Sequence, residues 1–341
     1  MLTFLAKSKV SPFLIFCLLV AIIGIGILGY YLVKKIAKIQ TKKRINRDQL
    51  ETRNGWLFVT PYAILFVTCI VAPIIIAMLL SFTSFNGVNK PDFIFIDNFI
   101  YLFTKDKIFT QYVLPNTLKF ALIVGVGGYV LSFFMAWCLA QMPKRARTVI
   151  SIILYTPSMT MGVAMGVLWI IIFSGSDSGY LNYLLISLTI INEPIEWLQN
   201  PSYLMTIMII ISLWSSLGVG FLAMLSGILN IPQDVYEAAY VDGMKNRFQE
   251  VFYITIPMMK PQMLFGAVMA VVNTFAAGSI GVTLSGSNPT PQYAGQLIIN
   301  HVDDYIYNKY EFGMACAVTV ILLLIILIIS RVAYKLFGSK D

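Results

Sequence analysis

Apolar residues in this chain are gathered into long continuous runs. Seven stretches, 12–33, 56–83, 115–140, 148–173, 202–228, 262–285 and 314–337, are almost free of charge. A bilayer core about 30 Å thick is crossed by about 20 helical residues, and each stretch reaches that length. Inside lipid a backbone must satisfy its own polar groups, which selects helix. The pattern predicts an all-α integral membrane protein of about seven transmembrane helices, one amino-terminal helix plus a core of six. Lys119, near the start of the third stretch, can snorkel to the interface.

Polar residues between the runs set the expected topology. Lys7 and Lys9 precede the first run, as in a signal peptide, but the run is too long for an h-region and no small-residue cleavage site follows. Eight basic residues follow it instead: Lys34, Lys35, Lys38, Lys42, Lys43, Arg44, Arg47 and Arg53. This reads as an uncleaved anchor with a basic linker, 1–54, ahead of a main domain, 55–341. Basic residues favour the cytoplasmic side. Lys144, Arg145 and Arg147, then Lys245, Arg247 and Lys260, then Arg331, Lys335 and Lys340 all fall on the linker's side, and loop 174–201 on the other side has none. The expectation is an amino terminus outside, a carboxyl terminus in the cytoplasm, and a multi-pass protein of the cell membrane.

Composition agrees: 58% of the 341 residues are hydrophobic and 12% charged, against about 25% charged in soluble domains. The net charge of +8 sits beside apolar runs, so it points to topology and away from a nucleic-acid partner. Cys17, Cys69, Cys138 and Cys316 are isolated, and His301 is the single histidine. No metal, cofactor or catalytic site is expected from them. Gly24, Gly26 and Gly29 spell the dinucleotide fingerprint, but they lie inside an apolar run and not between a strand and a helix. Gly162 and Gly166 suit close helix packing. No phosphate-binding G-x-x-x-x-G-K-[ST] loop occurs, so the chain is expected to lack an ATP site and not to be an enzyme itself.

The polar loop 229–261 carries the most local information. Pro232 suits a first helical turn, and Asp234 and Glu237 suit its positive end. Gly243 suits the C′ position. Asn246 with Gln249 forms a potential capping box for a second helix. Phe248, Val251 and Phe252 then share one helical face, and Pro257 and Pro261 end the segment. Two short amphipathic helices joined at a glycine are predicted on the cytoplasmic face.

This loop resembles the EAA loop of importer-type ABC permeases, whose pattern is E-A-A, three residues, Gly, about nine residues, then I-x-L-P. Here the matching residues are Glu237, Ala238, Ala239, Gly243, Ile254 and Pro257. Ile256 replaces the usual Leu, and ten residues separate Gly243 from Ile254. From about Trp56 onward the chain is similar to carbohydrate permeases related to the larger membrane subunit of the maltose transporter. SFTSFNG (81–87), FIDNF (95–99), PNTLKFAL (115–122), LYTPSM (154–159), LSGSNPTP (284–291) and YEFGMACA (310–317) carry that likeness.

The resemblance implies a permease subunit of a carbohydrate importer, most naturally for an oligosaccharide. It implies a second homologous permease, two copies of an ABC ATPase and an extracellular solute-binding protein. Glu237 would face basic residues of the ATPase and Gly243 would set the bend. It also aligns Ser212, Ser216 and Asn273 with positions lining a sugar site. From the residues themselves, Ser212, Ser215, Ser216 and Val219 share a helical face, and Asn273 lies mid-run. Polar groups at that depth mark pathways or glue helices together. Trp214 and Phe275 are the nearest aromatic candidates. Other readings are the same machine for a glycerol phosphate compound, a seven-span receptor, and a secondary transporter. The last should show mid-membrane carboxylates, and none is present.

Overall fold

A computed structural model describes residues 47–160 and 162–338. The first apolar run, its glycine triplet, Cys17 and most of the basic linker lie outside the described residues. The described chain is helical almost throughout, with one isolated antiparallel bridge, Thr83 to Phe93.

Helix α1 (47–80) passes unbroken from the end of the basic stretch into the second apolar run, across Pro61 and a wide i→i+5 turn at Val67–Val71. Its apolar side chains are largely exposed, Phe58 at 86%, as suits a surface facing lipid or a partner. A loop and the short α2 (Asp97–Thr104) lead to α3 (Phe109–Ala140). α3 starts six residues before the apolar run does. At 1.5 Å per residue its 32 residues extend about 48 Å, more than the bilayer core.

The fourth apolar run is divided. α4 (Lys144–Met159) contains Pro157 and ends where Thr160 turns extended, with φ −71° and ψ 134°. α5 (Gly162–Ile172) follows, and then α6 (Tyr180–Ser187). α7 (Pro201–Trp214) starts under an Asn200 cap, whose side chain accepts the Ser202 amide at 2.9 Å. The fifth run also breaks: α8 (Val219–Leu229) is bent 42° from α7 across residues 215–218. The loop helices are α9 (Gln233–Val241) and α10 (247–258). α11 (Lys260–Ser285), α12 (298–308) and α13 (Phe312–Phe337) complete the chain.

Among the described residues, four helices are long and apolar enough to cross a membrane, and the bent α7–α8 pair makes a fifth if counted as one span. The apolar pattern assigns six to this stretch. Hydropathy registers the runs at 148–173 and 202–228 but not the breaks within them. One buried apolar cluster lies where α3, α8 and α11 meet, around Leu139, Phe221, Met224, Met259 and Met263, and others surround Phe109 with Tyr305 and Phe120 with Met208. α8 and α11 touch backbone to backbone, since a Cβ on Gly220 would lie 3.2 Å from Gly266 Cα. Small residues permit such approach between membrane helices. Gly166 packs against α11 at the side-chain methyl of Thr283.

Candidate functional site: a membrane cavity and a cytoplasmic loop

Helices α3, α5, α7 and α11 enclose a cavity of about 450 Å³, within the roughly 300–1,000 Å³ of small-molecule sites. Ser212, Ser216 and Asn273 all line it. So do Ser215, Thr274, Ser279, Thr283 and Trp169, and among the described residues no charged side chain does.

The serines reach the cavity differently from the expected continuous face. α7 ends at Trp214, so Ser212 is helical while Ser215 and Ser216 occupy the break before α8. Val219, expected on the same face, is exposed and is not part of the wall. Ser216 donates to the Leu213 carbonyl at 2.7 Å, which leaves its oxygen free to accept. Ser212 is 7% exposed, and its Oγ has no partner among the described residues. Asn273 is exposed and makes no side-chain hydrogen bond among the described residues, so it does not tie α11 to a neighbour. The break presses against α3: a Cβ on Gly128 would come within 2.9 Å of Ser216 Cβ.

The aromatic candidates are corrected. Trp214 is more than half exposed and outside the wall, and Phe275 is buried against Ala121 and Val271. Among the described residues, Trp169 is the aromatic residue of the cavity. It stands three residues beyond Gly166, so both share one helix face.

The 229–261 loop forms the two expected helices. Gly243 adopts φ +95°, a conformation that side-chain-bearing residues rarely take, two residues past the end of α9. The capping box at Asn246 and Gln249 is complete, with Gln249 Oε1 accepting the Asn246 amide at 3.3 Å. Glu237, Ala238 and Pro257 are exposed, Ala239 is half-buried and Ile254 is buried. The predicted Phe248–Val251–Phe252 face is split: both phenylalanines are exposed and Val251 is buried. A wide i→i+5 turn at Val251–Thr255 follows directly. It holds one residue more than an α turn, which matches the ten residues found between Gly243 and Ile254.

Sequence reasoning missed what locks these helices together. Glu250 is buried, accepting from Tyr240 and from Arg247, each at 3.1 Å, and Tyr236 meets Thr255 at 3.3 Å. The exposed outer surface then carries Val241, Phe248, Phe252 and Tyr253, the first at 87%.

A third cluster, also unforeseen, joins α12 to the start of α3, at the end of α11 remote from the loop. Asp106 Oδ2 is 2.8 Å from His301 Nε2 and accepts from the Tyr305 hydroxyl at 2.7 Å. Its Oδ1 accepts the Phe109 amide at 3.0 Å. Burial alone would push this carboxyl up. The hydrogen bonds from His301, Phe109 and Tyr305, with the charge of His301, outweigh it and hold Asp106 well below the usual carboxylate range.

Two parts of the cavity wall, the serine break and α11, connect directly to the loop. α8 runs from the serine break into it, and α11 runs out of it to Asn273. Each arm spans about thirteen residues, or about 20 Å of helix.

Comparison with known proteins accounts for this arrangement. Residues 128–339 match the family described as "Binding-protein-dependent transport system inner membrane component". The chain is 30% identical to a probable ABC transporter permease, YesP of Bacillus subtilis (strain 168), covering 87% of this chain and 93% of that one. It is 25% identical to the arabinooligosaccharides transport system permease AraP of the same organism, over 83% and 88%. The fold matches a bacterial alginate ABC transporter, solved with an alginate pentasaccharide-bound periplasmic protein, with a TM-score of 0.70 at 21% identity, over 86% and 96% of the chains. The chain is a multi-pass membrane protein and belongs to the family of binding-protein-dependent inner membrane components, the permease subunits of ABC importers.

Proposed function

We propose that this permease carries a neutral oligosaccharide. The observation that carries the proposal is the cavity: hydroxyl and amide groups of Ser212, Ser215, Ser216, Asn273 and Thr283, with no charged side chain in the wall among the described residues. A phosphate or uronate substrate would call for Arg or Lys there. Relatives described as permeases for arabinooligosaccharides, starch degradation products and lactose support a sugar substrate. Membership of the family sets aside the receptor and secondary-transporter readings.

In this reading Ser212, Ser216 and Asn273 bind sugar hydroxyls. A second, homologous permease completes the cavity, and an extracellular binding protein delivers the substrate. Loop 229–261 docks on one of two ATPase copies, with Glu237, Ala238 and Ala239 at the contact, Gly243 at the bend, and Ile254 and Pro257 anchoring the second helix. ATP-driven movement of the loop reaches the cavity through α8 and α11. The amino terminus lies outside, the carboxyl terminus in the cytoplasm, and residues 1–54 are an appended anchor and linker on the 55–341 domain. A cysteine placed at Thr3, in a background free of native cysteines, should react with an impermeant thiol reagent in intact cells; labelling only after lysis would reverse the orientation.

The deciding experiment is reconstitution with the partner subunits and a screen for stimulated ATP hydrolysis. Neutral oligosaccharides should stimulate. Stimulation by glycerol 3-phosphate alone would overturn the substrate class.

A further inference from the structure

The cavity contains one aromatic side chain among the described residues, Trp169 on α5. Its position follows from packing. A Cβ on Gly166 would lie 2.6 Å from Thr283 Cγ2, so α5 is pressed against α11 at that level. Trp169 stands three residues further along the same face, and the close approach at Gly166 delivers the indole to the wall. Phe173, one turn on, backs the indole with ring centroids 5.8 Å apart and planes inclined by 27°.

The polar edge of the ring gives an independent observation. Trp169 Nε1 is buried with no acceptor among the described residues, and Ser212 Oγ, in the wall of the same cavity, is equally unpartnered. Indole N–H groups ordinarily find a partner when buried. Two orphaned donors in one wall are a local instability that a ligand rich in hydroxyls would relieve. A pyranose or furanose ring has a C–H surface and a rim of hydroxyls, and tryptophan has an apolar body and one polar tip.

We propose that Trp169 is the specificity-determining aromatic residue of the cavity. Its ring packs on the C–H surface of a bound sugar unit. Its N–H, brought out by a side-chain rotation, donates to a hydroxyl of the same unit. This rests on the neutral-oligosaccharide reading above and adds to it the side chain that distinguishes a sugar ring from another polar solute of similar size.

The test uses the importer assembled with its partner subunits in lipid nanodiscs. Lactose, maltotriose and arabinotriose serve as probes, with glycerol 3-phosphate as the counter-probe. For the sugar that acts best on the wild type, Trp169→Leu should raise the half-stimulating concentration about tenfold or more, the scale of one lost polar contact. Trp169→Phe, which keeps a ring but loses the N–H, should fall between. The sugar-induced change in tryptophan emission should vanish in both. An unchanged half-stimulating concentration in Trp169→Leu would overturn the proposal while leaving the sugar reading intact. Loss of co-purification with the ATPase in both variants would make Trp169 a packing residue and overturn it too. If no sugar stimulates the wild type, the substrate reading fails and this proposal falls with it.

Discussion

The cavity and the cytoplasmic loop use polar groups in opposite ways. In the loop almost every polar side chain facing inward is answered from within: Tyr240 and Arg247 meet on Glu250, Asn246 and Gln249 cap each other, and Tyr236 reaches Thr255. In the cavity Ser212 Oγ and Trp169 Nε1 are unanswered and Asn273 bonds to nothing among the described residues. A satisfied network resists deformation, as a lever must. An unsatisfied wall costs stability until something binds. Under the proposed function, the loop's satisfied network suits the entry of a force and the cavity's unpaired groups suit the passage of a solute.

The strongest challenge to this contrast is Glu237→Lys. Glu237 is exposed and takes no part in the Glu250 network, so insertion and folding should survive. Charge reversal should repel a basic partner groove, and uptake of the transported sugar should be lost. Ordinary uptake in the variant would sink the docking role.

Asn273→Leu tests the other side. If the amide bonds substrate hydroxyls, its loss leaves them desolvated at about 1–3 kcal/mol, roughly a 5- to 150-fold weaker response to sugar. Assembly with the ATPase should persist. If Asn273 instead acted as helix glue, the change would be about 0.6 kcal/mol of stability. A lowered melting temperature with unaltered sugar response would move it from the site to the scaffold.

Asp106 offers a smaller effect in a region that belongs to neither side of the contrast. Its folded-state pKa is depressed, so the stability it contributes is present above the unfolded value near 3.9 and is lost as pH falls through and below that value. Asp106→Asn should lower the melting temperature at neutral pH and flatten its fall between about pH 5 and pH 3. An unchanged pH profile in thermal unfolding would show that the cluster with His301 and Tyr305 is energetically idle.

The mildest change should be deletion of Tyr253, which is exposed within the wide turn. It restores nine residues after Gly243 and allows an ordinary α turn, so uptake should stay near wild type. Abolished uptake would mean that the extra residue has a task of its own.

What was legible in the sequence follows the range of the interactions. Gly243, Asn246 and Gln249 act on their own backbone within a few residues, and they mark the bend between the two loop helices in the sequence as in the structure. Ser212, Ser216 and Asn273 were placed by resemblance, and the fold brings them to one cavity. The break at 215–218 was hidden because the flanking apolar residues continue the run. Trp169 could not be preferred over Trp214, since the choice depends on α5 meeting α11. Asp106 and His301 are 195 residues apart, and no local pattern announces such a pair. The face shared by Phe248, Val251 and Phe252 is covered only at Val251, and which edge of a helix face is covered depends on tertiary packing that spacing does not carry.

That turn has a consequence for how such a chain can change over generations. Insertions within a helix normally rotate everything downstream by about 100°, which would swing Pro257, Lys260 and all of α11 out of register. Confining the surplus residue to Val251–Thr255 keeps the downstream helix in phase. The segment between the bend and the span behaves as a slip joint: its length can drift by one residue while the two surfaces at its ends, one carrying Glu237 and one lining the cavity, stay in alignment.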